Sequence, residues 1–196
     1  MSKDIKSSEL HQIAAMIAAE NNYRTTAAQK DREEIALVLM NRADANYRGF
    51  GKSAYAQASA QGGGQFNGWK TRSRQSKTAI NLASKAWRAA EKRMKAGKGG
   101  DNLHYHANYS YPKWRGKYPS GGKNKYHTYY KGNKGQSNQL RSGRKTANYW
   151  SRGNTTPKEA YGEYGNTRVA GAQIDEIKGT QDMLKRAGYY KGEIDG

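Results

Sequence analysis

One glutamate of this sequence lies where a carboxyl group could act as an acid. Residues 8–20 predict an amphipathic helix because Ile13 and Ile17 recur at helical spacing. Glu20 falls at the margin of the apolar face, in the last turn. Apolar neighbours and the negative end of the helix dipole both favour the protonated carboxyl, so we expect a raised pKa. A neutral carboxyl suits the general acid of glycosidic cleavage, although the position also fits an ordinary border glutamate.

The other acidic residues have simpler predicted roles. Asp31 is expected to cap a second helix at 31–43, with Glu34 three residues later. Glu91 lies on the basic face of a third predicted helix at 75–96, where it would make local ion pairs. No second catalytic carboxylate therefore stands out in the sequence.

Three histidines suggest an alternative chemistry. His104 and His106 alternate along a predicted strand, and a paired strand at 125–130 could bring in His127. Three imidazoles can hold a catalytic zinc ion, which would make the protein a zinc-dependent hydrolase. The same residues also fit hydrogen-bonding histidines in a polar groove.

Aromatic and amide side chains concentrate in the middle of the chain. Residues 48–74 are rich in Gly, Ser and Gln and predict a surface loop. Aromatic rings stack on sugars and amides bind their hydroxyls, but with so few aliphatic residues these aromatics could equally form the core. The candidate substrate-binding residues are Gln65, Phe66, Tyr105, His106, Asn108, Trp114, His127 and Tyr129.

The positive charge of the chain is confined to one block. Lys and Arg number 35 against 16 Asp and Glu, a net charge of +19 over 196 residues. Residues 46–160 alone hold 24 basic and 3 acidic residues. This asymmetry predicts a polyanionic partner, which could be nucleic acid, an anionic membrane surface or bacterial wall polymer. No apolar run is long enough for a membrane span, and the start lacks a signal-peptide segment.

Five short elements in order resemble the cell-wall hydrolases of the SleB/CwlJ type. They are IAAEN with Glu20, VLMNR with Asn41 and Arg42, GGGQFNGW, LHYHANYSYPKW with Asn108 and Trp114, and NKYHTYY with His127. Departures include Asn21–Arg24 in place of a second acidic residue, and His106 in place of a commoner aromatic or aliphatic.

This resemblance implies a mainly α (α+β), lysozyme-like domain with a small β-hairpin beside a cleft. It implies cleavage of the β-1,4 bond between N-acetylmuramic acid and N-acetylglucosamine, with Glu20 as the catalytic residue and no cofactor or metal. Lytic transglycosylation needs one carboxyl group rather than the pair of a simple glycoside hydrolase, which agrees with the missing second acid.

The end of the chain resembles a second wall-directed unit. The segment IKGTQDMLKRAGYYKGEIDG is similar to the opening of a small peptidoglycan-binding module, with Tyr189, Tyr190 and Asp195 as wall-binding residues. The predicted organisation is a catalytic domain at 1–131, a Gly/Asn/Ser-rich linker at 132–172 and a partial binding segment at 173–196 that includes a short helix.

Together these patterns predict a peptidoglycan lytic transglycosylase, with glycan strands and anionic wall polymer as partners. The missing signal segment favours a phage endolysin or virion-associated lysin, held in the host cytoplasm until release, with phage tail or virion proteins as further expected partners. The alternatives are a zinc-dependent wall amidase or peptidase that uses His104, His106 and His127, a basic nucleic-acid-binding protein, and a virion component whose lysin domain has decayed.

Overall fold

The computed structural model describes residues 7–146, and the side chain of Thr146 is not described. These residues form six α-helices and one three-stranded sheet, with short 3₁₀ turns at Tyr47–Gly49, Arg72–Arg74 and Arg115–Lys117. The helices are α1 Ser7–Glu20, α2 Thr26–Asp44, α3 Ala54–Gly63, α4 Asn67–Thr71, α5 Lys77–Lys95 and α6 Lys134–Thr146. The strands are β1 Asn102–Ala107, β2 Ser120–Lys123 and β3 His127–Lys131. The predicted mainly α fold with a small antiparallel sheet is confirmed.

The core lies between three helices. Every residue of Ile35–Met40 is buried, so α2 occupies the centre, as its all-round apolar run predicts. Helix α1 contributes Ile13 and Ile17, and α5 contributes Trp87. Small alanines at the helix contacts allow close approach, which is how a chain with few large aliphatics still buries a core.

The sheet has the strand order β1–β3–β2, and both strand pairs are antiparallel. Tyr105 pairs with Tyr129 and Ala107 with His127, so these four residues share one face of the sheet. His104 and His106 belong to the opposite face because side chains alternate along a strand. The predicted strands at 103–109 and 125–130 are present, but β2 separates them in sequence and pairs on the far side of β3.

Helix α2 begins earlier than the sequence pattern predicts. Its N-cap is Thr25, whose hydroxyl accepts a hydrogen bond from the amide of Ala28 at 3.1 Å. Asp31 is therefore not a cap, which corrects the predicted start of this helix. The buried carboxylate of Asp31 instead accepts hydrogen bonds from side chains of other segments, such as Asn21 and Asn124.

The segment 48–74, predicted as a surface loop, contains two helices. Ser53 caps α3 by accepting from the amide of Ala56, and an alanine-rich stretch follows that favours helix. Phe66 and Trp69 then turn into the core instead of toward solvent. The apolar contacts of these two rings outweigh the loop character that the neighbouring glycines suggest.

The first part of the predicted linker at 132–172 is the helix α6. Leu140 is buried against Ala45 and Leu103, so one apolar contact docks an otherwise polar helix. A Cβ on Gly143 would lie 1.7 Å from the carbonyl oxygen of Asp44, so the approach of α6 to the end of α2 requires glycine here. The rest of the linker, the predicted helix at 173–187 and the wall-binding residues Tyr189, Tyr190 and Asp195 lie outside the described residues. The three-part domain organisation stays a prediction.

No helix within 7–146 is long and apolar enough to cross a membrane.

Candidate active site

Glu20 is the last residue of α1, and its carboxyl group is fixed by α4. Its Oε1 accepts a hydrogen bond from the amide of Gly68 at 2.6 Å. A Cβ on Gly68 would lie 2.5 Å from the carbonyl oxygen of Met16 and 2.9 Å from Cγ of Glu20. Glycine is therefore required where the two helices touch, and the segment GGGQFNGW positions the carboxyl through its backbone.

The surroundings of Glu20 favour its neutral form. Burial raises the pKa of Glu20 above its ordinary value, and this effect exceeds the lowering by the Gly68 amide, the Tyr105 hydroxyl and the charges of His127 and Arg42. The side chain is only half-buried. None of the ion pairs formed within 7–146 includes it. The raised pKa of Glu20 agrees with the direction that the sequence predicts, and burial is its largest cause.

Tyr105 on β1 places a buried hydroxyl toward Glu20. Its ring lies 6.0 Å from Phe66 and 5.1 Å from His127, measured between centroids. Burial raises the pKa of Tyr105 well above its usual range, and the Glu20 charge adds to this, so the hydroxyl keeps its proton. The hydroxyl makes no hydrogen bond of good geometry within the described residues, but it faces the Glu20 carboxyl closely enough to lower the pKa of Glu20. A protonated donor is thus held next to the carboxyl.

Arg42 is a second buried donor of this region. Its guanidinium lies 4.8 Å from the ring centroids of both Tyr47 and Phe66, and Nε donates to the carbonyl of Leu103 at 2.6 Å. Within the described chain Nη1 has no hydrogen-bond partner. The sequence indicated Arg42 only as part of the family motif. Its spacing from Glu20 gave no sign that its charge acts on that carboxyl.

Asp31 is the centre of the largest hydrogen-bond network in this region, and the sequence reasoning missed it. Its Oδ1 accepts from Nδ2 of Asn124 at 2.6 Å and from the hydroxyl of Tyr129 at 2.7 Å. Its Oδ2 accepts from Nδ2 of Asn21 at 2.7 Å and pairs with Nδ1 of His127 at 2.8 Å. The carboxylate is fully buried, so neither oxygen faces solvent. Each oxygen is held instead by two donors.

These donors keep Asp31 ionised. Burial alone would raise its pKa, but the hydrogen bond and charge of His127, with the bonds from Asn21 and Tyr129, lower it overall. Glu20 and Asp31 therefore shift in opposite directions. The available sequence signal is that Asp31 lies in line with the apolar residues Ala28, Ile35 and Val38, although its position before the apolar run favours a helix cap.

The sheet separates the three histidines of the zinc hypothesis. His127 lies on the face that packs toward Asp31, whereas His104 and His106 lie on the other face. The His104 ring stacks on Tyr118 at 4.0 Å, and His106 Nε2 lies 2.9 Å from the hydroxyl of Tyr130. No group of three possible metal ligands occurs within 7–146. The residues of the predicted zinc site are thus not brought together. His127 pairs with Ala107 and shares its face of the sheet, which is opposite the face of His104 and His106.

The remaining predicted substrate-binding residues divide into three groups. Trp114 packs with His106 on the outer face of the sheet, away from Tyr105. Asn108 follows β1 and connects it to the segment before β3, because its Nδ2 donates to the carbonyl of Asn124 at 2.8 Å. Gln65 donates to Oε1 of Gln61 at 3.3 Å. Phe66, His127 and Tyr129 are buried, so a sugar cannot stack on them directly in this structure, and their role in substrate binding stays a prediction.

A cavity of about 400 Å³ lies at another place on α1. Gln12, Ala15 and Arg72 are among its lining residues, and Glu20 is not. Arg72 itself is held over the Trp69 ring at 4.0 Å.

Comparison of the chain with protein-family models, with curated proteins and with solved structures gave no match.

Proposed function

We propose that the protein is a peptidoglycan lytic transglycosylase of the SleB/CwlJ type. The observation that carries this proposal is Glu20, a half-buried carboxyl with a raised pKa, held by one backbone amide and beside two buried donors. A general acid needs this combination, because it must keep a proton near neutral pH and still reach a substrate.

In this mechanism Glu20 donates its proton to the glycosidic oxygen as the bond from that oxygen to C1 of N-acetylmuramic acid breaks. The resulting Glu20 carboxylate then accepts the proton of the C6 hydroxyl. The C6 oxygen bonds to C1 and closes a 1,6-anhydro ring, so no water is consumed. Glu20 ends the cycle protonated.

The state of Asp31 supports a mechanism with one carboxyl group. Hydrolysis with inversion or retention needs a second carboxylate that reaches a water or the sugar. Asp31 is fully buried, and both of its oxygens already accept two hydrogen bonds. It can act on the reaction only by positioning other groups.

The same proposal includes the biological setting. A phage endolysin or virion-associated lysin would meet peptidoglycan strands and anionic wall polymer, and a net charge of +19 would favour that encounter. The carbohydrate and the charged polymer would then be bound by different parts of the molecule, a neutral site at Glu20 and a basic surface around it.

The test is mass spectrometry of the soluble products that the protein releases from purified peptidoglycan. We expect 1,6-anhydro-muramic ends from the native protein and at least a ~100-fold slower release from Glu20→Gln. Gln keeps an oxygen for the Gly68 amide and, like the protonated carboxyl of Glu20, carries no charge, so Glu20→Gln should be about as stable as the native protein at pH 7 in urea unfolding.

Glu9→Gln, in the first turn of the same helix, is the matched control and should leave activity unchanged. Ordinary reducing ends would keep Glu20 as the acid but refute transglycosylation. Products that persist in Glu20→Gln, or no products from the native protein, would refute the proposed function.

A further inference from the structure

We propose that the stacked pair Tyr23–Tyr126 is a platform for one N-acetylhexosamine ring of the glycan, next to Glu20. This inference deepens the proposed function and rests on it. It assigns a substrate-positioning role to two tyrosines on segments about one hundred residues apart in sequence, neither of which the resemblance singles out.

The two rings form a nearly parallel stack in which Tyr23 is exposed and Tyr126 is half-buried. Their centroids lie 5.2 Å apart and their planes differ by 21°. Tyr23 keeps 59% of its surface exposed although Tyr126 covers one side of it. The Tyr126 hydroxyl shares a hydrogen bond of 2.8 Å with Oγ1 of Thr25, and this contact fixes the Tyr126 ring within the stack. An aromatic ring with so much free surface gains little from folding, which favours a role in binding.

Two equivalent turns hold this pair. Asn21 Oδ1 accepts from the amide of Tyr23 at 3.2 Å, and Asn124 Oδ1 accepts from the amide of Tyr126 at 2.9 Å. The other side of each asparagine, Nδ2, donates to the Asp31 carboxylate. One buried carboxylate therefore sets both turns, and through them the two tyrosine backbones.

Further contacts restrain the backbone of Tyr23. Its carbonyl accepts from Nη2 of Arg32, whose Nε also donates to the carbonyl of Asn21 at 2.9 Å. The connection between α1 and α2 is thereby tied to α2 on both sides of Asn22. A preorganised surface loses less entropy when a ligand binds, which is what a stacking site requires.

Both segments that carry the platform adjoin, in sequence, either the candidate acid or a residue whose charge acts on it. Tyr23 follows Glu20 by three residues, just after the helix that carries the carboxyl ends. Tyr126 directly precedes His127, whose charge acts on Glu20. A pyranose ring on Tyr23 would thus belong to the same bound strand as the bond at Glu20.

The chemistry of the pair favours a sugar over a nucleobase. A pyranose presents axial C–H groups to an aromatic face and needs neighbouring amides and hydroxyls for its polar rim, and exposed Asn22 and Thr25 flank the stack. A nucleobase would also stack on Tyr23, as in single-strand binding proteins. The two ligands can be distinguished by direct competition.

The test measures binding of an N-acetylglucosamine hexamer to Glu20→Gln, which cannot turn the ligand over, by isothermal titration calorimetry. Adding Tyr23→Ala should weaken binding by about tenfold, while Tyr23→Phe should keep most of the affinity because the stacking face remains. Tyr109→Ala removes a ring that is 89% exposed and serves as the matched control, with no expected change.

In the otherwise native protein Tyr23→Ala should raise KM for peptidoglycan fragments by about tenfold with a much smaller change in kcat. Unchanged KM and hexamer affinity in Tyr23→Ala would refute the platform even if the native protein cleaves peptidoglycan. Absence of cleavage together with Tyr23-dependent hexamer binding would instead refute the proposed function and keep the platform. Tyr23-dependent binding of oligothymidylate that outcompetes the hexamer would overturn the assignment to carbohydrate.

Discussion

At the residue scale, two carboxyl groups of one small domain receive opposite pKa shifts from the same kind of burial. Glu20 has one backbone donor and its pKa rises, whereas Asp31 has donors on both oxygens and its pKa falls. The hydrogen bonds and charges that meet the ionised form therefore decide in which direction burial leaves the pKa of each carboxyl.

His104 makes a prediction about stability against pH. Burial, followed by the Arg42 charge, lowers the pKa of His104 from 6.5 to about 4. Between these values the unfolded chain binds a proton that the folded chain does not, so stability is lost as pH falls below 6.5. We expect the free energy of unfolding in urea to drop by about 2 kcal/mol from pH 7 to pH 5 on this account.

The control for this prediction compares pH dependences rather than absolute stabilities. In His104→Gln the drop between pH 7 and pH 5 should shrink, while His11→Gln, at an exposed position, should retain it. An equal drop in all three proteins would assign the acid sensitivity to other groups.

The residue types at the site were only partly predictable. Glu20 followed from the apolar stripe of its own helix, a local pattern that a sequence displays. The role of Asp31 depends on Asn124, His127 and Tyr129, which lie more than ninety positions away. Periodicity contains no information about such partners, so the buried carboxylate was interpreted as a cap.

At the element scale, the contact between α1 and α4 makes a sharp prediction. Gly68→Ala places a methyl group 2.5 Å from the Met16 carbonyl oxygen, so α4 must move and the Gly68 amide must leave Glu20. We expect a loss of about 1–3 kcal/mol in the free energy of unfolding and a marked loss of peptidoglycan cleavage.

Gly64→Ala is the matched control in the same glycine-rich segment. The nearest atom to a Cβ there is 3.4 Å away and the backbone φ is −62°, so alanine should be tolerated within about 0.5 kcal/mol. If both variants behaved alike, the close approach at Gly68 would not be what positions the carboxyl.

Helix α6 gives a second prediction at this scale. Leu140 is 1% exposed and supplies the apolar contact to Ala45 and Leu103. Leu140→Ala should lower the free energy of unfolding by about 2–3 kcal/mol, measured by urea denaturation. Gln139→Ala, an exposed neighbour, should have no effect. A flexible linker would be insensitive to both substitutions.

Elements with a strong period of their own were predictable, and elements made by tertiary contact were not. The patterns of α1, α2 and α5 gave these helices within a few residues, apart from the early start of α2. Helix α4 has only five residues and depends on Phe66 and Trp69 reaching the core. Helix α6 has the composition of a linker, and its docking depends on Leu140 and on the approach allowed by Gly143.

At the scale of the whole molecule, the net charge of +19 makes a prediction about adsorption. Binding to insoluble wall that carries anionic polymer should fall by about tenfold or more between 50 and 500 mM salt, because the Debye length shrinks to a few ångströms. Wall stripped of that polymer should show weak, salt-insensitive binding. If binding to both wall preparations were equally sensitive to salt, the positive charge would be acting on the glycan and not on the anionic polymer.

The Asp31 network also determines how the folded protein can open. If the sheet separated from α2 alone, the Asp31 carboxylate would stay in the protein interior without His127, Tyr129 and Asn124, and burial of an uncompensated charge is costly. Sheet and central helix should therefore exchange their amide hydrogens as one cooperative unit. Native-state hydrogen exchange would then give matching opening free energies for β3 and α2, and Asp31→Asn would separate them.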